Sequence, residues 1–196
     1  MINKLVVASG NAGKLREIEA ILAPLNIEII PQAALNIPEA DEPHFTFLEN
    51  ALAKARHASQ LSGLPGLADD SGICVDALNG APGVHSARYA GEPKSDARNN
   101  DKLLAELNPF SDRRAHYYCV MALVRQHDDP EPLIAEGAWH GEILRIRRGD
   151  GGFGYDPLFL VPELGLTGGE LAADIKNKIS HRATALAALV EKLKQM

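Results

Sequence analysis

Two adjacent carboxylates, Asp69 and Asp70 in the stretch LADDSG, stand between apolar runs over residues 64–68 and 73–75. Their charges repel, so their adjacency needs a reason. Asp accepts hydrogen bonds from nearby backbone N–H groups, and a tight turn between two short strands within residues 67–78 is one expectation. The other is a magnesium site, because that hard cation takes carboxylates, phosphate oxygens and water. Glu42 and Glu49 precede the pair and could add oxygen donors. Glu49 also stands three residues after Thr46, where it would complete a capping box.

The stretch SGNAGK supplies Ser9, Gly10, Asn11, Ala12, Gly13 and Lys14 between an apolar run and an amphipathic segment. Its glycines let backbone N–H groups approach a ligand, a helix N-terminus favours an anion, and Lys14 adds a full charge. It is not a Walker A loop: Gly10 and Gly13 are too close together, and Leu15 stands where Ser or Thr is needed. A plain strand-to-helix turn is the alternative reading. The segment GGFGYDP, residues 151–157, holds more glycine than a strand tolerates. It reads either as a strand-entry turn or as a wall offering Phe153 to a flat base, with stacking worth roughly 1–3 kcal/mol. KNKISHR, residues 176–182, reads as a basic helix start, the end the helix dipole makes unfavourable for cations. Such a placement suggests use of the charges rather than a solvated rim. Arg88 could reach a ligand or lie on the surface, and Trp139, Tyr117 and Tyr118 read as core.

The elements that must hold these residues follow from periodicity. Residues 5–8 read as a strand, followed by a helix with Leu15, Ile18, Ile21 and Leu22 on one face. Residues 26–30 read as a second strand, and the acidic, proline-broken stretch 38–44 as a loop. Thr46 caps a helix whose inner face is expected to be Leu48, Leu52, Ala55 and Ser59, with Asn50, Lys54 and His57 elsewhere. Ser95 caps a helix through Leu107, and residues 117–124 form a central strand, apolar on both faces. Strands are expected near 133–138, 142–146 and 158–161, and Ser180 caps a last helix. Helices alternate with strands early and strands cluster late, so the fold class is α/β, a mixed central sheet flanked by helices. Residues 1–196 are expected to form one domain of two lobes.

The 196 residues carry a formal charge of −6, 45% hydrophobic residues and 23% charged ones, a soluble globular composition. The acidic balance speaks against a nucleic-acid polymer as partner. No apolar run approaches the roughly 20 residues of a membrane helix, and the N-terminus lacks a secretory signal, so no membrane and a cytoplasmic location are expected. Cys74 and Cys119 lie in apolar runs and read as buried free thiols, and the histidines lack zinc-ligand spacing.

Taken in order from residue 9 to residue 182, SGNAGK, TFLENALAKAR, LADDSGICVDALNGAPGVHSARYAG, GGFGYDPLF and KISHR resemble the inosine-triphosphate pyrophosphatase family. The resemblance implies a bilobed α/β fold with a nucleotide-binding cleft, a homodimer, and magnesium-dependent hydrolysis of non-standard purine nucleoside triphosphates (ITP, dITP, XTP) to monophosphate and pyrophosphate. It implies that residues 9–14 bind phosphate and that Asp70 is the catalytic carboxylate. Asp70, Asp69, Glu42 and Glu49 become metal candidates. Asn50, Lys54, Ser71, Phe153, Gly154, Tyr155, Asp156, Lys176, His181 and Arg182 become substrate contacts. Ile175, Ala183 and Gly168 depart from the residues common at those places in the family. A pyrophosphatase for modified pyrimidines and a nucleotide sensor without chemistry are the competing readings. The GGFGYDP and SHR pair speaks against the first, and Asp70 against the second.

Overall fold

The computed structural model describes residues 2–195. In chain order the elements are β1 (Lys4–Val7), α1 (Ala12–Leu22), β2 (Glu28–Pro31), α2 (Phe47–Ser62), β3 (Gly66–Val75) and α3 (Asp96–Leu107). They continue as β4 (Arg114–Val124), β5 (Leu133–Ile143), β6 (Phe159–Val161), β7 (Leu166–Thr167), α4 (Ala173–Ile179) and α5 (His181–Lys194). The strands form one sheet in the order β2-β1-β3-β4-β5-β6-β7. It is mixed: β1 pairs parallel with β2 and β3, whereas β5–β6 and β6–β7 are antiparallel. Among the described residues no helix is long and apolar enough to cross a membrane.

The described residues divide into two compact units, the first made of residues 2–70, 119–137 and 182–195, the second of 71–118 and 138–181. In the first, alternation along the strands sends Leu5, Val7, Leu67, Cys119, Met121 and Leu123 to one sheet face. There they meet Ile18 and Leu22 of α1 and Ala185, Leu186 and Leu189 of α5. In the second, Ile73, Val75, Tyr117, Trp139, Ile143 and Phe159 pack with Leu103 and Leu107 of α3.

Four expectations need correction. The chain does not turn at the Asp pair; β3 runs straight through it to Val75, with Asp69 2% and Asp70 7% exposed, and residues 76–78 form a short 3-10 turn after it. Residues 133–138 and 142–146 do not form two strands: residues 144–146 lie beyond the end of one strand, β5, which runs unbroken from 133 to 143 through Gly141. A Cβ there would lie 2.3 Å from the Leu160 carbonyl oxygen, so the glycine serves a close approach of β6. On α2 the buried face is Asn50, Ala51, Ala55, Ala58 and Ser59, and Leu48 is left exposed. Small residues win because β3 comes so near: a Cβ on Gly66 would meet the Ala55 carbonyl at 2.3 Å. Of the two thiols only Cys119 is fully buried, while Cys74 is half-buried. Burial pushes Cys119 up to about 12, so it is inert as a nucleophile.

Candidate functional site

Because neighbouring residues on a strand point to opposite faces, β3 delivers its two acids to different partners. Asp69 follows Leu67 onto the α1/α5 face, where its Oδ2 lies 2.9 Å from Lys14 Nζ and 3.4 Å from the Arg182 guanidinium. Arg182, itself 1% exposed, also donates to the Glu17 carboxylate. Asp70 faces α2 instead. Its Oδ1 accepts from Lys54 Nζ at 2.9 Å and its Oδ2 from Asn50 Nδ2 at 3.3 Å. Lys54 Nζ also donates to Glu42 Oε1 at 2.6 Å, so one ammonium joins two carboxylates.

These environments push the two acids apart. Burial raises the Asp69 carboxyl, but Lys14, Arg182 and Lys54 together hold it well below the usual carboxylate range. Burial raises Asp70 as well, Lys54 offsets only part of that, and Glu42 adds to it, so Asp70 sits above its ordinary value. Lys54 is raised: burial opposes its charge, but Asp70, Asp69 and Glu42 outweigh burial. A pair of carboxylates with opposite shifts is the pattern of divided roles, one fixed as an anion and one able to exchange a proton.

Local structure explains how these side chains are held. Asn11 caps α1, its Oδ1 accepting from the N–H groups of Gly13 at 2.8 Å and Lys14 at 3.1 Å, while Asn11 N–H donates to Ser9 Oγ. Two helix-start donors of the SGNAGK loop are thus used by the cap itself. Gly10 permits the approach of Glu39, whose Oε1 lies 1.9 Å from where a Cβ would stand. Asn50 fastens the irregular loop that carries Glu42, accepting from His44 N–H and donating to His44 C=O. Thr46 caps α2 as expected, its Oγ1 accepting from Glu49 N–H at 3.2 Å, and the Glu49 carboxylate turns back to the cap by accepting from the Thr46 hydroxyl at 2.6 Å. The structure therefore joins Asp70, Glu42, Lys54 and Asn50, sets Asp69 with Lys14 and Arg182, and leaves Glu49 at its cap.

A second constellation lies in the other unit. Asp156, 2% exposed, accepts from Phe153 N–H at 2.8 Å, from Lys176 Nζ at 2.5 Å and from Tyr117 Oη at 3.4 Å. Lys176 Nζ lies 4.7 Å from the centroid of the half-buried Phe153 ring. Gly152 has φ +73, and a Cβ there would meet Asp156 Oδ2 at 2.1 Å, so only glycine admits this turn. Tyr155 is turned inward, its hydroxyl donating to Ser86 C=O at 2.8 Å. His181, 5% exposed, stacks on Tyr117 with ring centroids 4.7 Å apart and planes 8° from parallel. Ser71, the next residue of β3 after Asp70, also belongs to this unit.

The basic stretch is not a helix start throughout. Lys176 lies in the last turn of α4, the end where the dipole favours a cation, and only His181 and Arg182 open a helix. Sequence reasoning missed Glu17 and the part played by Tyr117. Glu17 had a visible signal, since it stands three residues after Lys14 on a helix and shares its face.

A model of the Ham1 family matches residues 5–192. A dITP/XTP pyrophosphatase of Nitrosomonas europaea is 62% identical over 194 residues, 99% of this chain and 96% of that one. A protein of the same name from Ralstonia nicotianae is 62% identical over 196 residues, 98% of each chain. Among solved structures, a HAM1 protein from Coxiella burnetii matches with a TM-score of 0.94 at 48% identity, covering 100% of both chains.

Proposed function

Because the chain belongs to the Ham1 family, we propose that it is a nucleoside-triphosphate pyrophosphatase that hydrolyses dITP, XTP and ITP to the monophosphate and pyrophosphate. The names of relatives at 62% identity over nearly the full chain support the reaction and the substrate class. Such an activity removes non-standard purine nucleotides before a polymerase can use them.

The observation that carries the chemistry is Asp70, a raised carboxylate sharing the Lys54 ammonium with Glu42. These residues fit a magnesium ion. Two hard carboxylates already hold one cation between them, and magnesium commonly uses one or two carboxylates with substrate phosphates and water completing its shell. Among the described residues no three His, Cys, Asp or Glu converge into a metal cage, so substrate oxygens and water would have to complete the shell. Glu42 and Asp70 would hold the ion, which when bound neutralises phosphate charge and makes phosphorus more electrophilic.

Lys54 and Lys14 supply point charges for the phosphate oxygens. Asp70 accepts the proton of the attacking water; the water oxygen bonds to phosphorus as the α–β anhydride breaks, and pyrophosphate leaves. Asp69 stays ionised and keeps Lys14 and Arg182 in place. At the base end Phe153 provides a stacking face, with Gly154 beside it. Lys176, a donor next to that ring, suits the C6 oxygen of hypoxanthine or xanthine and not the amino group of adenine. Asp156 and Tyr155 shape that wall, and His181 stands beside it against Tyr117. Ser71 and the SGNAGK loop complete the proposed contacts.

The same reading takes the protein as a cytoplasmic homodimer. Sedimentation velocity, which reads the mass, tests the dimer. The functional test is kcat/KM for dITP, XTP, dATP and dGTP with magnesium. A site built to hydrogen-bond one group rejects the analogue lacking it by up to roughly 10⁴-fold. We expect dITP and XTP far above dATP; equal turnover of dATP contradicts the reading.

A further inference from the structure

We infer that Asp96 and Asn100 are positioning residues that hold the Phe153 loop ready for the base, an inference resting on the proposed role of that loop. The segment around Phe153 is rich in glycine, the residue that loses most conformational freedom on ordering. Left to itself it would sample many directions for the Phe153 ring. Helix α3 prevents this from outside the loop.

Asp96 Oδ2 accepts from Gly154 N–H at 2.7 Å, and Asn100 Nδ2 donates to Gly154 C=O at 2.8 Å. Asp96 and Asn100 stand four residues apart, hence on one face of α3, and Asn100 Nδ2 also donates to the Asp96 carbonyl at 2.6 Å. The peptides on both sides of Gly154 are therefore gripped by a single helix turn. Gly154 has φ +62 with nothing within 4 Å of a would-be Cβ, so conformation and not space demands glycine there. On the other side of the ring, Phe153 N–H is already held by Asp156. Both backbone connections of Phe153 are thus fixed, one by the base-wall acid and one by α3.

Two further features separate this grip from ordinary packing. Asn100 is 2% exposed, yet its Oδ1 has no hydrogen-bond partner among the described residues. Its polar contribution here is the donor end, and an apolar residue of its size would fill the space without stranding a buried acceptor. Asp96 stands in the first turn of α3, where it can reach out of the helix to the Gly154 N–H. Neighbouring Asn99 is used differently, tying Ser86, Ala87 and Ala90 to the helix.

Preorganisation of this kind is read in base affinity, not in phosphate affinity. The experiment measures binding of inosine monophosphate and, separately, of tripolyphosphate by calorimetry. The proteins are the wild type, Asn100→Leu, Asp96→Ala, Asp96→Asn and Phe153→Ala, each with a thermal melt. Asn100→Leu and Asp96→Ala should weaken inosine monophosphate by about 10-fold or more, because ordering the loop is then charged to binding. Tripolyphosphate should stay within about 2-fold, and Asp96→Asn, which keeps an acceptor, should recover most of the affinity. Parallel weakening of both probes, or no rescue by Asp96→Asn, overturns the inference. Wild-type affinity in Asp96→Ala, with Phe153→Ala weakened, also overturns it while the base-binding reading stands. An unaffected Phe153→Ala overturns that reading and the inference with it. Should Asn100→Leu fail to melt cooperatively, the Asp96 pair decides.

Discussion

Replacing Asp69 by Asn keeps its shape and removes the charge that Lys14 faces at 2.9 Å and Arg182 at 3.4 Å. Taking one partner from a buried ion pair costs about 3–5 kcal/mol, because the remaining cation stays desolvated. Here Lys14 is 17% exposed and can turn to water, and Arg182 keeps Glu17, so the low end, about 3 kcal/mol, applies. For a chain of this size each kcal/mol moves Tm by about 2–4 °C, so the drop should be about 6–12 °C at pH 7. Its pH dependence has a definite sign. Asp69 is held below its ordinary value in the folded state, so its contribution is complete above the unfolded carboxyl value, about 4. It is lost as pH falls below that value towards the folded one, and the gap between wild type and Asp69→Asn should narrow there. Asp70→Asn is the contrast: it removes a charge that burial disfavours, so Tm should move by less than about 2 °C, while kcat falls at least about 10²-fold. The assay is a set of thermal melts from pH 3 to pH 8 with turnover at pH 7. An Asp69→Asn protein melting within about 2 °C of wild type at pH 7, or a gap unchanged in acid, refutes the account of the buried cluster.

Truncating either phosphate lysine, as Lys14→Ala or Lys54→Met, should raise KM by about 10-fold for every nucleotide alike, and a changed dITP-to-dATP ratio would move that lysine to the base. Lys176→Met should lower kcat/KM for dITP much more than for dATP, narrowing their ratio by about 10-fold or more; an even loss assigns Lys176 to loop support alone. Chelation of magnesium should abolish turnover and its return restore it, and turnover that survives chelation removes the ion from the mechanism.

Much of the fold was legible because local signals agreed with it. Thr46 and Glu49 announced the start of α2, Ser95 the start of α3, and the unbroken apolar run of β4 its central place. The Asp pair misled for the opposite reason. Aspartate is disfavoured in strands and welcome in turns, and the cations that let it stay in β3 come from residues 14, 54 and 182. No local pattern connects those positions to residue 69 or 70. Lys176 shows the same limit: without α4 in view its charge looked opposed to a helix dipole, whereas it closes a short helix and meets Asp156. Of the proposed site, the loop, the acid and the aromatic wall follow from residue types. The Asn50 fastening of the Glu42 loop and the α3 grip on Gly154 do not, since each depends on a backbone group whose place only the fold determines.

The central claim, cleavage between the α and β phosphates, is tested most directly by product stoichiometry. The purified protein is incubated with dITP and magnesium, and pyrophosphate, orthophosphate and nucleotides are each quantified by ion-exchange chromatography. The account predicts one pyrophosphate for every dIMP and no orthophosphate. Accumulation of dIDP with orthophosphate would contradict it, because the terminal phosphate would then be the one released.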